Sequence, residues 1–338
     1  MDNPISDINN GLKAAEGTIS FLDKIFATAD KWGFLPMPER RKKNMQTKQD
    51  FLLEMDAQKA RHRRMEELAD ADVKARVELI MAQTRLGIEA AQQKSGQKEN
   101  DIEDMTEHLA LAGRAASSFY KQAMAEQYSK ERIGMYAAAE LAGEDKAHAN
   151  GEEPSQTWMT RFLKYAGDVR DEDVMQLWGK VLAGEIKKPG SFSLKTMEIL
   201  STLDQRDAIN FTKIAPYVID DDFIPAGAFE KVGISFLDAA DLDSLGLIHR
   251  RMMKRLKGIP SAINKKYMVL PRNVDSFPGA PCFDLEASLL TKVGMEIYGI
   301  LNLAEDEYLE GAKFFANLIT QKYGIPMECI NMSTRKAE

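Results

Sequence analysis

The sequence predicts a mainly helical protein with a small α+β module of winged-helix type at its C-terminal end. Three observations carry that reading: where the prolines fall, a seven-residue apolar period at the start, and short strand-like stretches confined to the last third. Between Pro38 and Pro154 there is no proline, while eight of the twelve follow Pro154. Proline breaks helix interiors, so residues 39–153 are free to be helical.

The totals narrow the class. The chain has 338 residues, 44% apolar and 29% charged, with a net charge of −7. That composition suits a globular protein with some extended helix, and the acidic balance argues against wholesale coating of nucleic acid. The two cysteines, Cys282 and Cys329, form no CxxC pair, which fits a reducing compartment. No apolar run approaches the roughly 18–20 residues that span a bilayer. The opening "MDNPISDINNG" lacks the basic and apolar regions of a secretory signal. The expectation is a cytoplasmic protein.

Residues 1–38 predict one amphipathic helix. Ile5, Leu12, Ile19 and Phe26 recur every seven residues, as do Ile8, Ala15, Leu22 and Ala29. Such a seam wants another helix, from this chain or a partner copy, so these eight are the candidate oligomerisation residues. The "ERRKK" run from Glu39 keeps a membrane-surface alternative open, because basic residues beside an apolar helix attract anionic lipid.

Residues 39–150 predict a long arm or coiled coil. The stretch from Glu39 to Lys94 is rich in Ala, Glu, Lys, Arg, Gln and Met, which favour helix. Read as continuous, it reaches on the order of 80 Å. Its apolar positions are sparse and interrupted by "QKARHRR", so it is short of surface to bury alone. "KSGQKEN" ends it, further Ala-rich helices follow, and "KAHANGEEPSQ" reads as a linker.

Residues 154–220 predict a central helical domain with a proline corner. Trp158 and Phe162 share one helical face, and Trp178 lies on the next helix. Glu185, Pro189, Phe192 and Ser193 form the turn, with Ser191 or Ser193 able to cap the helix beyond. No histidine lies nearby, GxSxG is absent, and a single glycine is too little for a phosphate loop. The corner therefore reads as structure, with no catalytic residue assigned.

Residues 221–338 predict the winged-helix-like module: a helix, "LGLI", a hairpin from "KKYMVLP" and "CFDLEASLLT", then "LTKVG" entering a helix. Arg250, Arg251, Lys254, Arg255, Lys257, Lys265, Lys266 and Arg272 fall within residues 249–272, which hold no acid. Phosphates would use such a cluster; so would an acidic protein surface, and winged helices serve both. The four histidines stand far apart and beside no cysteine, so no metal site or cofactor is expected.

The run "WGKVLAGEIKKPGSFSLKTMEILSTLDQRDA", Trp178 to Ala208, resembles an uncharacterised bacterial family, domain-of-unknown-function family 2806. The likeness extends to Trp158 and Phe162, the charged arm before them and the "GLI … LTxxG" pattern after. The resemblance supplies no active site. It implies an accessory-genome protein, with a role in bacterial antiviral defence or in mobile-element biology as the matching expectation. Taken together, the sequence predicts a non-enzymatic, self-associating helical scaffold or sensor. The alternatives are a winged-helix nucleic-acid binder and a membrane-acting effector.

Overall fold

A computed structural model describes residues 20–45, 47–95, 99–142, 152–257, 264–271 and 282–332. The chain divides into two compact units, one of residues 1–153 with 166–170, the other of residues 154–165 with 171–338.

The first unit is built on a helical hairpin. Helix α1 (Phe21–Trp32) is capped by Ser20, whose side chain accepts from the Asp23 N–H, and ends at Gly33 with φ 67°, the left-handed conformation glycine adopts freely. Helix α2 is Glu39–Asn44. Helices α3 (Lys48–Ser95) and α4 (Glu99–Leu141) then pack against each other. At 1.5 Å per residue the 48 residues of α3 run about 72 Å. The expected continuity from Glu39 is corrected: the helix breaks after Asn44 and restarts with a cap at Thr47. There the Thr47 Oγ1 accepts from the Asp50 N–H (3.2 Å) and the Asp50 carboxylate accepts from the Thr47 N–H (2.9 Å), the reciprocal pairing of a capping box. The expected break at "KSGQKEN" does separate α3 from α4, and the Ala-rich helices beyond it are one helix, α4.

The base of this hairpin is a closed core. Phe21, Leu22, Ile25, Phe26, Ala29, Phe34, Phe51, Met55, Ile133 and Met135 are all buried. Phe26 and Phe51 stack with centroids 6.3 Å apart. Gly134 sits where a Cβ would meet the Phe34 ring at 3.0 Å, so the ring lies against bare backbone. Lys42 is buried too, bonded to Asp30 (2.5 Å) and Glu39 (2.9 Å). The hydrogen bond to Asp30 holds its ammonium above the usual lysine range. These contacts correct the heptad reading in its described part. Leu22, Phe26 and Ala29 are covered by their own chain, since α1 has core beneath it, and are not available to a second copy or to lipid. Ile5, Ile8, Leu12, Ala15 and Ile19 lie outside the described residues.

The second unit joins the helical corner to the α+β module. Its helices are α5 (Gln156–Asp168, shared with the first unit), α6 (Glu172–Lys187), α7 (Leu194–Thr202) and α8 (Gln205–Ile214). Strand β1 (Phe223–Pro225), helices α9 (Ala228–Lys231) and α10 (Phe236–Ser244) and strand β2 (Ile248–Lys257) follow. Then come β3 (Tyr267–Pro271), β4 (Cys282–Leu290), α11 (Lys292–Ile300), α12 (Glu305–Tyr323) and β5 (Met327–Asn331). One sheet has the order β1-β4-β2, antiparallel throughout. Helix, strand, two helices and two strands with the last strand central is the winged-helix connectivity. The part between β2 and β4 departs from a free wing: it contributes β3, which pairs antiparallel with β5. Val269, Tyr267 and Met327 from this second sheet share a core with Phe223, Phe283 and Leu285 of the first and with Phe315 and Ile319 of α12.

The boundary expected at residue 220 falls inside this unit. Helix α12 presses on the turn Ala215–Tyr217 so closely that a Cβ at Gly311 would lie 1.8 Å from the Pro216 carbonyl oxygen. Glu296 of α11 in turn holds the start of α7. Among the described residues, no helix is long and apolar enough to cross a membrane.

Candidate interaction surfaces

The proline corner gathers the residues that the sequence singles out. Trp158 and Phe162 stack at 4.9 Å, and Phe162 meets Trp178 at 5.3 Å. The Trp158 indole N–H donates to the Phe192 carbonyl at 2.9 Å. After Pro189 the backbone wraps around the buried Glu185, whose carboxylate accepts from the Gly190 N–H (2.7 Å) and the Phe192 N–H (3.2 Å). Burial pushes the Glu185 carboxyl up; the backbone donors oppose that shift, and the Glu296 charge adds to it. Ser193 caps α7 by accepting from the Thr196 N–H. Glu296 accepts from the Ser193 N–H (2.9 Å) and from the Thr196 hydroxyl. Glu296 was not legible in advance, because it comes from a helix about a hundred residues on. Glu185, Ser193, Thr196, Glu296 and the Trp158 indole are all engaged in holding the turn, while the buried Trp178 indole N–H finds no acceptor among the described residues.

The basic patch is dispersed. Lys254 is paired with Asp222. Arg255 holds Asp284 through two bonds, 2.7 and 3.0 Å, which keeps that carboxyl below the usual range. Lys265 donates to the Gly299 carbonyl (3.1 Å) and lies 4.8 Å from the Tyr298 ring centre; burial pulls its ammonium down. Lys257 and Lys266 are exposed. Arg272 lies outside the described residues. A continuous cationic face is therefore not formed by Lys254, Arg255 and Lys265, because each already has an internal partner. Helix α10, at the position from which a winged helix reads a duplex, presents Asp238, Asp241 and Asp243 and no cation.

Arg250 and Arg251 behave differently. Between the pairs His249–Leu289 and Met252–Ala287 the register shifts, so both arginines oppose the single residue Ser288. This is a β-bulge, with Arg251 at φ 56°. Alternation is lost there, and both guanidiniums lie over the ring of Phe236, at 4.1 and 5.0 Å from its centre. Phe236 is 59% exposed and Leu237 71%. Sequence reading missed this pair; their one signal is an apolar doublet at a helix start where the core does not need it.

The arm is the second surface. Leu53, Met65, Leu68, Leu111, Phe119 and Tyr120 are exposed on α3 and α4, with Leu68 at 70% and Phe119 at 76%. Met65, Tyr120 and Met124 line a groove of about 390 Å³ with Arg63, Glu66, Glu67 and Lys121 at its sides. Nearer the base, His62 stacks on Tyr128 at 3.9 Å. Among the described residues, no group of histidine, cysteine and acid side chains is placed to hold a metal ion. Cys282 and Cys329 are free thiols.

No curated protein and no solved structure matches this chain. Residues 113–221, from the second half of α4 through the corner to the turn before β1, match the family model described as "Protein of unknown function (DUF2806)".

Proposed function

We propose that this protein is a non-enzymatic, self-associating scaffold or sensor whose arm pairs with the arm of a second copy. The observation that carries the reading is the exposure of Met65, Leu68, Phe119 and Tyr120 on the two-helix arm, with Met65 and Tyr120 lining one groove. A two-helix arm has one internal seam, and residues outside it gain by finding a further helix. The charges favour a second copy. A two-fold axis through Met65 would set exposed Arg63 and Arg64 against the partner copy's exposed Glu67 and Glu66, and self-complementary patches make closed two-fold dimers. A place in antiviral defence is supported by the family resemblance alone. Nucleic-acid binding through β2 is the weaker reading, since α10 is acidic and two of the β2 cations are paired.

Sedimentation velocity on the full chain tests this. The expected result is a dimer or larger particle at micromolar concentration, reduced to monomer by Met65→Glu with Leu68→Glu. Reversing Arg63 and Arg64 to glutamate should weaken it, and adding Glu66→Lys and Glu67→Lys should restore it. A monomer throughout, or a dimer indifferent to all of these changes, overturns the proposal.

A further inference from the structure

We infer that the surface made by the start of α10 and the bulge of β2 is a docking site for an extended acidic–apolar segment of a partner protein. The bulge is the first reason. A non-glycine residue at φ 56° carries a steric cost, and such outliers persist where the surroundings hold them, often at working surfaces. Here the result of the outlier is visible: two consecutive arginines stack on one ring.

Composition is the second reason. Phe236 and Leu237 are exposed at the start of α10, with Arg250 and Arg251 over the Phe236 ring, and the exposed Met252 and Met253 follow along β2, one toward each face of the sheet. Aromatic residues, methionine and arginine are the side chains enriched where proteins meet. A cavity of about 280 Å³ opens between Phe229, Ile234, Phe236 and the two arginines, large enough for one apolar side chain. The guanidiniums are already ordered on the ring, so a partner carboxylate meets them with less loss of freedom.

Charge selects the occupant. Among the described residues, neither Arg250 nor Arg251 is in an ion pair, although Glu230 and Glu286 line the same cavity. Two forks at this mouth suit carboxylates. A nucleic acid would instead lay its phosphates along α10, against Asp241 and Asp243, which costs repulsion. β2 is an outer strand of its sheet, so an extended segment can lie along it.

The test uses fluorescence anisotropy with the full chain. The probes are labelled end-blocked peptides of alternating glutamate–leucine, glutamate–serine and lysine–leucine, and a labelled DNA duplex. The glutamate–leucine peptide should bind saturably and the other three at least about tenfold more weakly. Arg250→Ala and Arg251→Gly should each weaken it about tenfold, and so should Leu237→Asp. Arg251→Gly is informative because glycine accepts the left-handed conformation, so its thermal melt should match or exceed the parent. Absence of glutamate–leucine binding overturns the inference. So does binding that ignores the arginines, or a duplex bound through the same arginines more tightly than the peptide.

Discussion

The arm of α3 and α4 and the proline corner use the same kinds of residue to opposite ends. In the corner, three large aromatics are wholly covered, a buried carboxylate is closed by backbone donors, and a second carboxylate arrives from α11 to finish the helix cap. On the arm, methionine, leucine, phenylalanine and tyrosine stand in water along two helices, with ion pairs within α3 (Arg61–Glu54, His62–Glu66) and one from α3 to α4 (Lys48–Glu140). A region that satisfies itself holds its shape; the exposed apolar side chains of the arm are what, on the proposed reading, a second copy would cover. The physical lesson is that exposure of large side chains says more about purpose here than any single motif does.

The largest expected effect breaks the closed side of that contrast. Trp178→Ala should destabilise the second unit by about 3–5 kcal/mol in urea unfolding, because the cavity cannot collapse between Phe162 and Tyr165. Trp178→Phe should cost much less, since the buried indole N–H finds no acceptor among the described residues and its removal relieves that defect. Equal losses for the two would show that the indole nitrogen has no part. Next comes Glu185→Ala, expected to cost about 2 kcal/mol by leaving the Gly190 and Phe192 N–H groups without a partner. Gly184→Ala belongs beside it: a Cβ there would lie 2.6 Å from the Phe192 ring, and overpacking of this kind costs about 1–3 kcal/mol. The same denaturation curve with unchanged midpoint would mean that the turn is not locked as described.

On the open side, the expected changes to stability are small. Met65→Glu and Leu68→Glu should change the unfolding free energy of dilute protein by no more than about 0.5 kcal/mol, the usual range for exposed sites. Their effect belongs in the mass of the particle. A large loss of stability from these two changes, at a concentration where the parent is monomeric, would place them in a core and erase the contrast.

How much of this was legible depended on the range of the interactions. The corner was readable because its period, its proline and its capping serine are local; its second carboxylate, Glu296, was not, since only the folded chain brings α11 to α7. The helical arm was readable from composition and the absence of proline, although the cap at Thr47 that breaks it at Asn44 was overlooked. The apolar period of the first segment was real, but period alone does not say whose surface covers it, and for Leu22, Phe26 and Ala29 the answer is this chain. The basic run was visible as a count and misleading as a patch. Partners for Lys254 and Arg255 come from Asp222 and Asp284, each about thirty residues away. The strand β5 that binds the wing went unseen, since a five-residue stretch at the end of a chain carries little pattern of its own.

Besides the bulge at Arg251, the second unit contains another strained place, and it gives the smallest effect. Ile219 and Phe223 are bridged across a turn in which Asp220 and Asp221 stand at φ 51° and 55°, with the Asp222 N–H donating to the Ile219 carbonyl at 3.0 Å. Two positive φ values at the centre mark the tight turn that usually takes asparagine or glycine. Loss of hydration raises the Asp220 carboxyl to about 6, with Asp221 and Asp222 adding to the rise and Lys254 opposing it. Its side chain still reaches solvent, so the energy involved is modest. The sign follows from linkage. Between the ordinary carboxylate value and about 6 the folded chain binds the extra proton, so stability falls as pH rises through that window and the loss is complete above it. Asp220→Asn should therefore raise the thermal midpoint at pH 7.5, and the gain should shrink toward zero as the pH drops to 4. A gain that stays constant across the window would assign the benefit to the turn preference of asparagine; no gain at any pH would mean that the three carboxylates of this turn do not strain it.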